Sequence, residues 1–197
     1  RPGRHEWVPL KDDQLMAILP PTHPLVEADR FPVERLRQEP FIEFLPGQET
    51  DNSRMLQQLQ DDVEILIAIN AADIEKNKVR GDLGITYDDD VLRLIDIFRG
   101  MDLYVGSVVL TQYNAQPAAE AFQKRLESLG VKVFRHYTIP GYPSNIPLIV
   151  SDEGFGKNEY VETSRSLVVV TAPGPGSGKM ATCLSQLYHE YKRGVKA

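Results

Sequence analysis

Apolar segments the length of a β-strand alternate with amphipathic helical segments from residue 63 to residue 192. Strands separated by helices favour right-handed crossovers and a parallel sheet that is covered on both faces. The sequence therefore predicts an α/β fold of Rossmann-like or P-loop-like type, with a mostly parallel, truncated sheet and helices on both faces. The predicted strands are VEILIAIN (63–70), LYVGSVVLT (103–111), VKVFRHY (131–137), IPLIVS (146–151) and SLVVVTA (166–172).

The predicted helices cover residues 51–62, 71–81, 87–101, 115–130 and 179–192. Ahead of them, a proline-rich stretch predicts a short N-terminal β-α-β segment, with strands at 13–20 and 41–45 and a helix at 32–40. Its second strand, FIEFL, could pair beside residues 63–70. The change of composition near Asp51 divides the chain into a segment 1–53 and a domain 54–197.

Charge and cysteine content limit the partners. The formal net charge is −6, whereas surfaces that bind nucleic acid or anionic membranes carry an excess of Lys and Arg. Cys183 is the one cysteine, so no internal disulfide forms and no thiolate metal cluster is indicated, which fits a cytoplasmic location. We expect no metal, no membrane contact and no nucleic acid binding by this chain alone. A truncated sheet favours a homo-oligomer.

The segment VVVTAPGPGSGKMA predicts a glycine-rich loop between a strand and a helix. The dinucleotide pattern G-x-G-x-x-[GA] fits Gly176, Gly178 and Ala181 without a mismatch. The Walker phosphate loop fits less well, because Pro173 replaces its first glycine and Met180 replaces its hydroxyl residue. A glycine-rich connection that binds no ligand is the third interpretation.

Both nucleotide patterns rest on the same chemistry. Glycines let backbone N–H groups approach an oxyanion closely, and the dipole of the following helix favours negative charge. The ligand class is therefore a small anion or a nucleotide, with ATP or a dinucleotide as the candidate cofactor. The sequence assigns no catalytic residue and no reaction. The predicted cofactor-binding residues are Gly174, Gly176, Ser177, Gly178, Lys179 and Thr182.

Polar residues at the ends of predicted strands are the candidates for substrate contact. Ligands of open parallel sheets collect beyond the carboxyl ends of the strands. These ends give Asn70, Thr111, Asp152 and Glu153. The two acids after IPLIVS are also placed like a Walker-B strand tip that holds magnesium, although an acidic loop leaving a strand is the commoner case.

Long segments of the chain also carry a family resemblance. They are LQQLQDDVEILIAINAADIEKNKVRGDLGITYD, DVLRLIDIFRG, QPAAEAFQKRLESLG, GYPSNIPLIVSDEGFGKNEYVET and VVVTAPGPGSGKMATCLSQLYHEYKRGVKA. Through them, residues 54–197 resemble the bacterial family called domain of unknown function 1846. The resemblance implies a cytoplasmic protein, much longer than this chain, with further domains after this one. It leaves the reaction open.

The opening of the chain carries a second resemblance. VPLKDDQLMAILPPTHPL and EPFIEF make residues 6–53 similar to part of the effector-binding domain of LysR-type transcription regulators. This resemblance implies a chimeric chain. It also gives a second functional hypothesis, a small-molecule effector domain that lacks the DNA-binding part of such regulators.

Overall fold

The computed structural model describes the backbone of residues 41–44 and all of residues 60–195, within the unit formed by residues 36–197. The described strands form one parallel sheet in the order β1-β5-β2-β3-β4. The predicted parallel α/β sheet is confirmed. The strands are β1 (Phe41–Phe44), β2 (Val63–Asn70), β3 (Tyr104–Tyr113), β4 (Lys132–Tyr137) and β5 (Leu167–Thr171).

Helices fill the connections between the strands of the sheet. They are α1 (Ala71–Glu75), α2 (Tyr87–Gly100), α3 (Pro117–Ser128), α4 (Ile146–Ile149) and α5 (Lys179–Lys192), with a 3-10 turn at Phe155–Lys157. The predictions at 87–101, 115–130 and 179–192 are confirmed. The α1 helix ends earlier than predicted, because the chain then turns through an antiparallel bridge between Val79 and Thr86. Within the described residues, no helix combines the length and apolar character of a membrane span.

The strand predicted at residues 146–151 is wrong. Residues Ile146–Ile149 form the short helix α4, with Pro147 in its first turn. Proline lacks the N–H that a central strand needs, whereas the first turn of a helix leaves that position unbonded. A short apolar run does not distinguish a strand from a buried helix, and the proline should have decided between them.

Three predicted elements fall wholly or mainly on residues outside the described part. The strand at 13–20, the helix at 32–40 and residues 51–59 of the predicted helix at 51–62 belong to this group. Residues 60–62 form a turn before β2. The strand predicted at 41–45 is confirmed as β1, but it pairs with β5 rather than with β2.

The sheet reverses its direction of growth next to β2. The chain passes from β2 to β3 and β4 on one side, and then returns to place β5 on the other side of β2. The loop that leaves β5 reaches across the carboxyl edge to Asn70 at the end of β2 and to Thr111 on β3. Open parallel sheets bind their ligands at such a switch point.

Burial of β2 shows that both faces of the sheet are covered. All eight residues of β2 are buried, although successive side chains of a strand point to opposite faces. On one face, Leu66 and Ala68 pack with Cys183 of α5. Helices α2 and α3 pack on strands β2, β3 and β4.

A buried carboxylate fixes the amino end of β2. Glu64 is 2% exposed, and its Oε2 accepts hydrogen bonds from the Ser164 N–H at 2.7 Å and the Ser164 hydroxyl at 2.9 Å. The register between β2 and β3 slips beside this position and leaves Gly106 unpaired. A Cβ at Gly106 would lie 1.9 Å from Glu64 Oε1. The glycine bulge therefore makes room for the carboxylate that ties the entry of β5 to β2.

We expect Gly106→Ala to lower the free energy of unfolding by about 1–3 kcal/mol, because the added methyl group overpacks a buried site. Gly100→Ala is the matched control, since nothing lies within 4 Å of a Cβ there. Chemical denaturation of both variants measures the difference. An unchanged stability in Gly106→Ala would contradict the proposed role of the bulge.

Candidate functional site

The glycine-rich loop joins β5 to α5 and leaves the start of the helix uncapped. Gly178 is the N-cap residue of α5, in the left-handed region at φ 90° and ψ 16°, and no side chain caps it. The first helical bond runs from the Thr182 N–H to the Gly178 carbonyl oxygen. The N–H groups of the first turn therefore have no acceptor within the helix. They carry the positive end of its dipole.

Two strand-end side chains hold the carbonyl groups of this loop. Thr111 Oγ1 donates to the Ser177 carbonyl oxygen at 2.8 Å, and Asn70 Nδ2 donates to the Gly176 carbonyl oxygen at 3.4 Å. The loop peptides are trans, so each carbonyl points away from the N–H of the next residue. The N–H groups of Ser177 and Gly178 are thus turned away from Thr111 and Asn70.

The side chains of Ser177 and Lys179 close the loop on itself. Ser177 Oγ donates to the Gly174 carbonyl oxygen at 2.9 Å, and Lys179 Nζ donates to the same oxygen at 3.3 Å. No carboxylate of the described residues pairs with Lys179, and partial burial lowers the pKa of its ammonium group. Within residues 60–195, Lys179 is thus a cation beside the first amides of α5 with no carboxylate paired to it.

Each glycine of the loop is required for its own reason. A Cβ at Gly178 would lie 2.7 Å from Thr111 Oγ1, in addition to the strain of its positive φ. A Cβ at Gly174 would lie 2.4 Å from the hydroxyl of Tyr87, which is 5% exposed. Gly176 has a φ of 78° with open space around it. Two of the three glycines therefore allow close packing, and two allow a left-handed backbone.

The predicted residues Asn70 and Thr111 lie at the loop, but their donor groups are directed at loop carbonyls. Asn70 also accepts from the Ala72 N–H at 2.8 Å and so caps α1. Thr182 lies one turn into α5, with its side chain 2% exposed. Ser177 is 1% exposed as a whole residue, so its backbone N–H is covered together with its side chain, whereas Gly178 and Lys179 are half-buried.

Asp152 and Glu153 lie far from the loop. They follow helix α4, where Asp152 Oδ1 accepts from the Tyr188 hydroxyl at 2.6 Å and from Lys192 Nζ at 2.9 Å. The Tyr188 hydroxyl and Lys192 hold the pKa of the Asp152 carboxyl below its ordinary value. Glu153 pairs with Lys157 at 2.7 Å. Since α5 has 14 residues, its two ends are about 20 Å apart. The expectation that these acids end a strand beside the loop is wrong.

The cations that follow β2 are neutralised by neighbouring acids. Lys78 Nζ lies 2.9 Å from Asp73 Oδ2, and the hydrogen bond to this carboxylate raises the pKa of Lys78. Arg80 binds Asp82 and the fully buried Asp90. These residues stabilise the segment between α1 and α2. Lys179 differs from Lys78 and Arg80 because no acid among the described residues pairs with it.

A polar groove that the sequence did not indicate opens at the carboxyl ends of β3 and β4. Its volume is about 500 Å³. The rings of Tyr113 and Tyr137 meet edge to face with centroids 6.0 Å apart. The sequence signal for this groove was two tyrosines: Tyr137 ends the predicted strand 131–137, and Tyr113 comes two residues after the predicted strand 103–111. The lining residues are Tyr113, Asn114, Tyr137, Thr138 and Lys157.

Comparison with known proteins assigns the domain to a family. The sequence profile described as "Domain of unknown function DUF1846, N-terminal" matches residues 41–197. The chain belongs to the DUF1846 family. The match includes β1, which lies within the segment predicted to resemble a LysR-type regulator. The DUF1846 fold therefore starts no later than Phe41 in the matched sequence.

Streptococcal proteins are close relatives of this DUF1846 chain. A UPF0371 protein of Streptococcus pyogenes serotype M5 is 61% identical over 154 residues, which cover 78% of this chain and 31% of the relative. The UPF0371 protein of Streptococcus sanguinis is 60% identical over the same shares. That of Streptococcus equi subsp. zooepidemicus is 60% identical over 77% of this chain and 31% of the relative. The matched segment is thus less than a third of these relatives' length.

The other hypotheses about this DUF1846 chain stay predictions. The LysR-like interpretation and the chimeric origin concern residues 6–53, of which the structure describes only the backbone of residues 41–44. The same holds for the domain boundary after residue 53.

We expect Gly178→Ala to destabilise the domain by at least about 2 kcal/mol, because it combines a strained φ with a clash against Thr111. Gly176→Ala is the control, since it carries the strained φ alone and should cost about 1 kcal/mol. Thermal unfolding of both variants is the measurement. Equal losses would show that the contact with Thr111 is not tight.

Proposed function

We propose that this DUF1846 domain binds the phosphate group of a nucleotide at the loop Gly174–Lys179. One observation carries the proposal, the capture of the Gly176 and Ser177 carbonyl groups by Asn70 and Thr111. This capture turns the Ser177 and Gly178 N–H groups away from Thr111 and Asn70, and the accessible amides begin with the half-buried Gly178 and Lys179 at the start of α5. Such an array of amides at a helix start favours a phosphate oxyanion.

The charge at the loop also favours an anion. Lys179 has no acidic partner among the described residues, and burial lowers the pKa of its ammonium group. A bound phosphate would supply the missing counter-charge and remove that cost. The ammonium group needs only to leave the Gly174 carbonyl oxygen, a contact of 3.3 Å, to reach a ligand above the loop. The phosphate is therefore expected to replace a weak internal hydrogen bond with a charge-assisted one.

The groove at the ends of β3 and β4 supports a nucleotide rather than a bare phosphate. The loop crosses from β5 to Thr111 on β3, and the groove opens at the carboxyl end of that same strand. A nucleotide whose phosphate lies on the loop is long enough to extend to the groove. Tyr137 is 36% exposed there, and an exposed aromatic ring suits stacking with a base.

Titration with pyrophosphate, ATP and NAD tests this function. We expect binding of at least one of them, and Lys179→Ala should weaken it about tenfold or more, because a hydrogen bond to a charged group is lost. Lys124→Ala is the control, since Lys124 is exposed on α3. Isothermal titration calorimetry measures all three affinities. The absence of binding by any of them, or equal weakening in both variants, would refute the proposal.

The affinity should also depend on pH. The ammonium of Lys179 has a lowered pKa, so it loses its charge at a lower pH than an ordinary lysine with a pKa of 10.5. Since the charged form attracts the anion, affinity should fall as the pH rises through the alkaline range. Lys179→Arg keeps its charge and should bind without this decline. A decline of the same size in Lys179→Arg would assign it to another group.

A further inference from the structure

The last helix buries small residues against the rest of the domain and leaves large apolar side chains exposed. The buried residues of α5 are Thr182, Cys183 and Ser185, all of them small. Ser185 receives a hydrogen bond from Asn158 Nδ2 at 2.9 Å. A surface helix normally buries its large apolar side chains against the core. The inner face of α5 is instead composed of hydroxyl and thiol groups.

The large apolar side chains of α5 lie on its outer face. Met180 is 51% exposed, Leu184 40%, Leu187 39% and Tyr191 79%. Intervals of four, three and four residues place them in one row along the helix. We call these four residues the outer row. Single exposed apolar residues are ordinary, but a continuous row over a whole helix indicates a surface that is covered in the complete protein.

The end of α5 sends the chain back toward the same helix. Gly194 has a φ of 74°, its N–H donates to the Tyr191 carbonyl oxygen, and the Val195 N–H donates to the Glu190 carbonyl oxygen, both at 3.0 Å. These two bonds form a Schellman motif, in which a left-handed residue reverses the chain at the end of the helix. Val195, the first residue after the reversal, is itself 51% exposed. Val195 therefore adds one more exposed apolar side chain close to the end of α5.

The size of the outer row favours a covalently linked partner over a second copy. The row runs along one helix of 14 residues, about 20 Å long. A stable interface between free proteins buries about 800 Å² on each side, which is more than one helical row provides. A partner in the same chain needs less area, because its effective concentration is high. In the streptococcal relatives the matched segment is 31% of the chain, and the matching profile is described as N-terminal.

We propose that the outer row of α5 is the surface on which the region following this domain in DUF1846 proteins packs. The packed region would border the glycine-rich loop, because Met180 is adjacent to Lys179. The arrangement explains why the helix carries apolar residues that its own domain does not use. It is independent of whether the loop binds a nucleotide.

Thiol reactivity at the outer row tests this docking surface. We expect Leu187→Cys to react rapidly with a maleimide in this chain, where Leu187 is exposed and the native Cys183 is buried. In the full-length Streptococcus pyogenes relative, a cysteine at the aligned position should react about tenfold more slowly or less, because labelling then needs local opening of the interface. Ala121→Cys, on the exposed side of α3, is the control and should react at similar rates in both proteins.

A charge-introducing variant gives the second measurement. Leu184→Lys with Leu187→Lys should leave the melting temperature of this chain nearly unchanged, whereas the aligned pair in the full-length relative should lower the protease resistance of the junction after α5. Rapid labelling of the cysteine introduced at the Leu187 position of the full-length relative, without the two lysines, would overturn the proposal. It would also be overturned if this chain formed a dimer that the two lysines separate, since the partner would then be a second copy.

Discussion

Two hydrogen bonds at the ends of neighbouring strands determine which way the glycine-rich loop faces. Thr111 on β3 and Asn70 at the end of β2 take the carbonyl groups of Ser177 and Gly176. Because a trans peptide holds its carbonyl and N–H on opposite sides, fixing the oxygens fixes the amides as well. The dipole of α5 and the ammonium group of Lys179, which pairs with no acid of the described part of the chain, then act on the same small volume. Without these two bonds, the loop would be a glycine-rich connection of no particular orientation.

The sheet topology makes this arrangement possible. Strands β2, β3 and β5 all end at one edge, and β5 lies next to β2 because the chain reverses its direction of growth there. The buried Glu64 ties Ser164, just before β5, to the amino end of β2. This contact helps to fix the register of β5 at its amino end. The loop that follows the carboxyl end of β5 then lies over Thr111. Packing at one end of the sheet thus positions backbone groups at the other.

The sequence predicted the backbone of the glycine-rich loop better than the contacts of its side chains. The strand-loop-helix pattern placed Gly176, Gly178 and the start of α5 correctly, since glycine spacing directly reflects backbone geometry. The strand-end rule selected Asn70 and Thr111 as substrate contacts, which stays a prediction, whereas the register that points their donors at loop carbonyls is set by long-range packing. The acids Asp152 and Glu153 were misplaced because a short apolar run was assigned to a strand.

The outer face of α5 shows the limit of hydrophobic periodicity. The spacing of Met180, Leu184 and Leu187 is visible in the sequence, and the ordinary rule would turn these residues toward the sheet. The structure places Cys183 and Ser185 there instead. A helix that serves two partners carries two patterns, and one domain's sequence does not say which face belongs to which partner. The orientation of α5 becomes clear only from the packing of β2 and β5 against Cys183.

Backbone amide chemical shifts during a pyrophosphate titration test the central claim most directly. The account predicts that the largest shifts occur at the amides of Ser177, Gly178 and Lys179. It also predicts that they persist in Thr111→Ser, which keeps the hydroxyl donor, and vanish in Thr111→Val, which removes it while keeping the shape. Shifts confined to other lysines, or unchanged loop shifts in the valine variant, would contradict an anion site built by carbonyl capture.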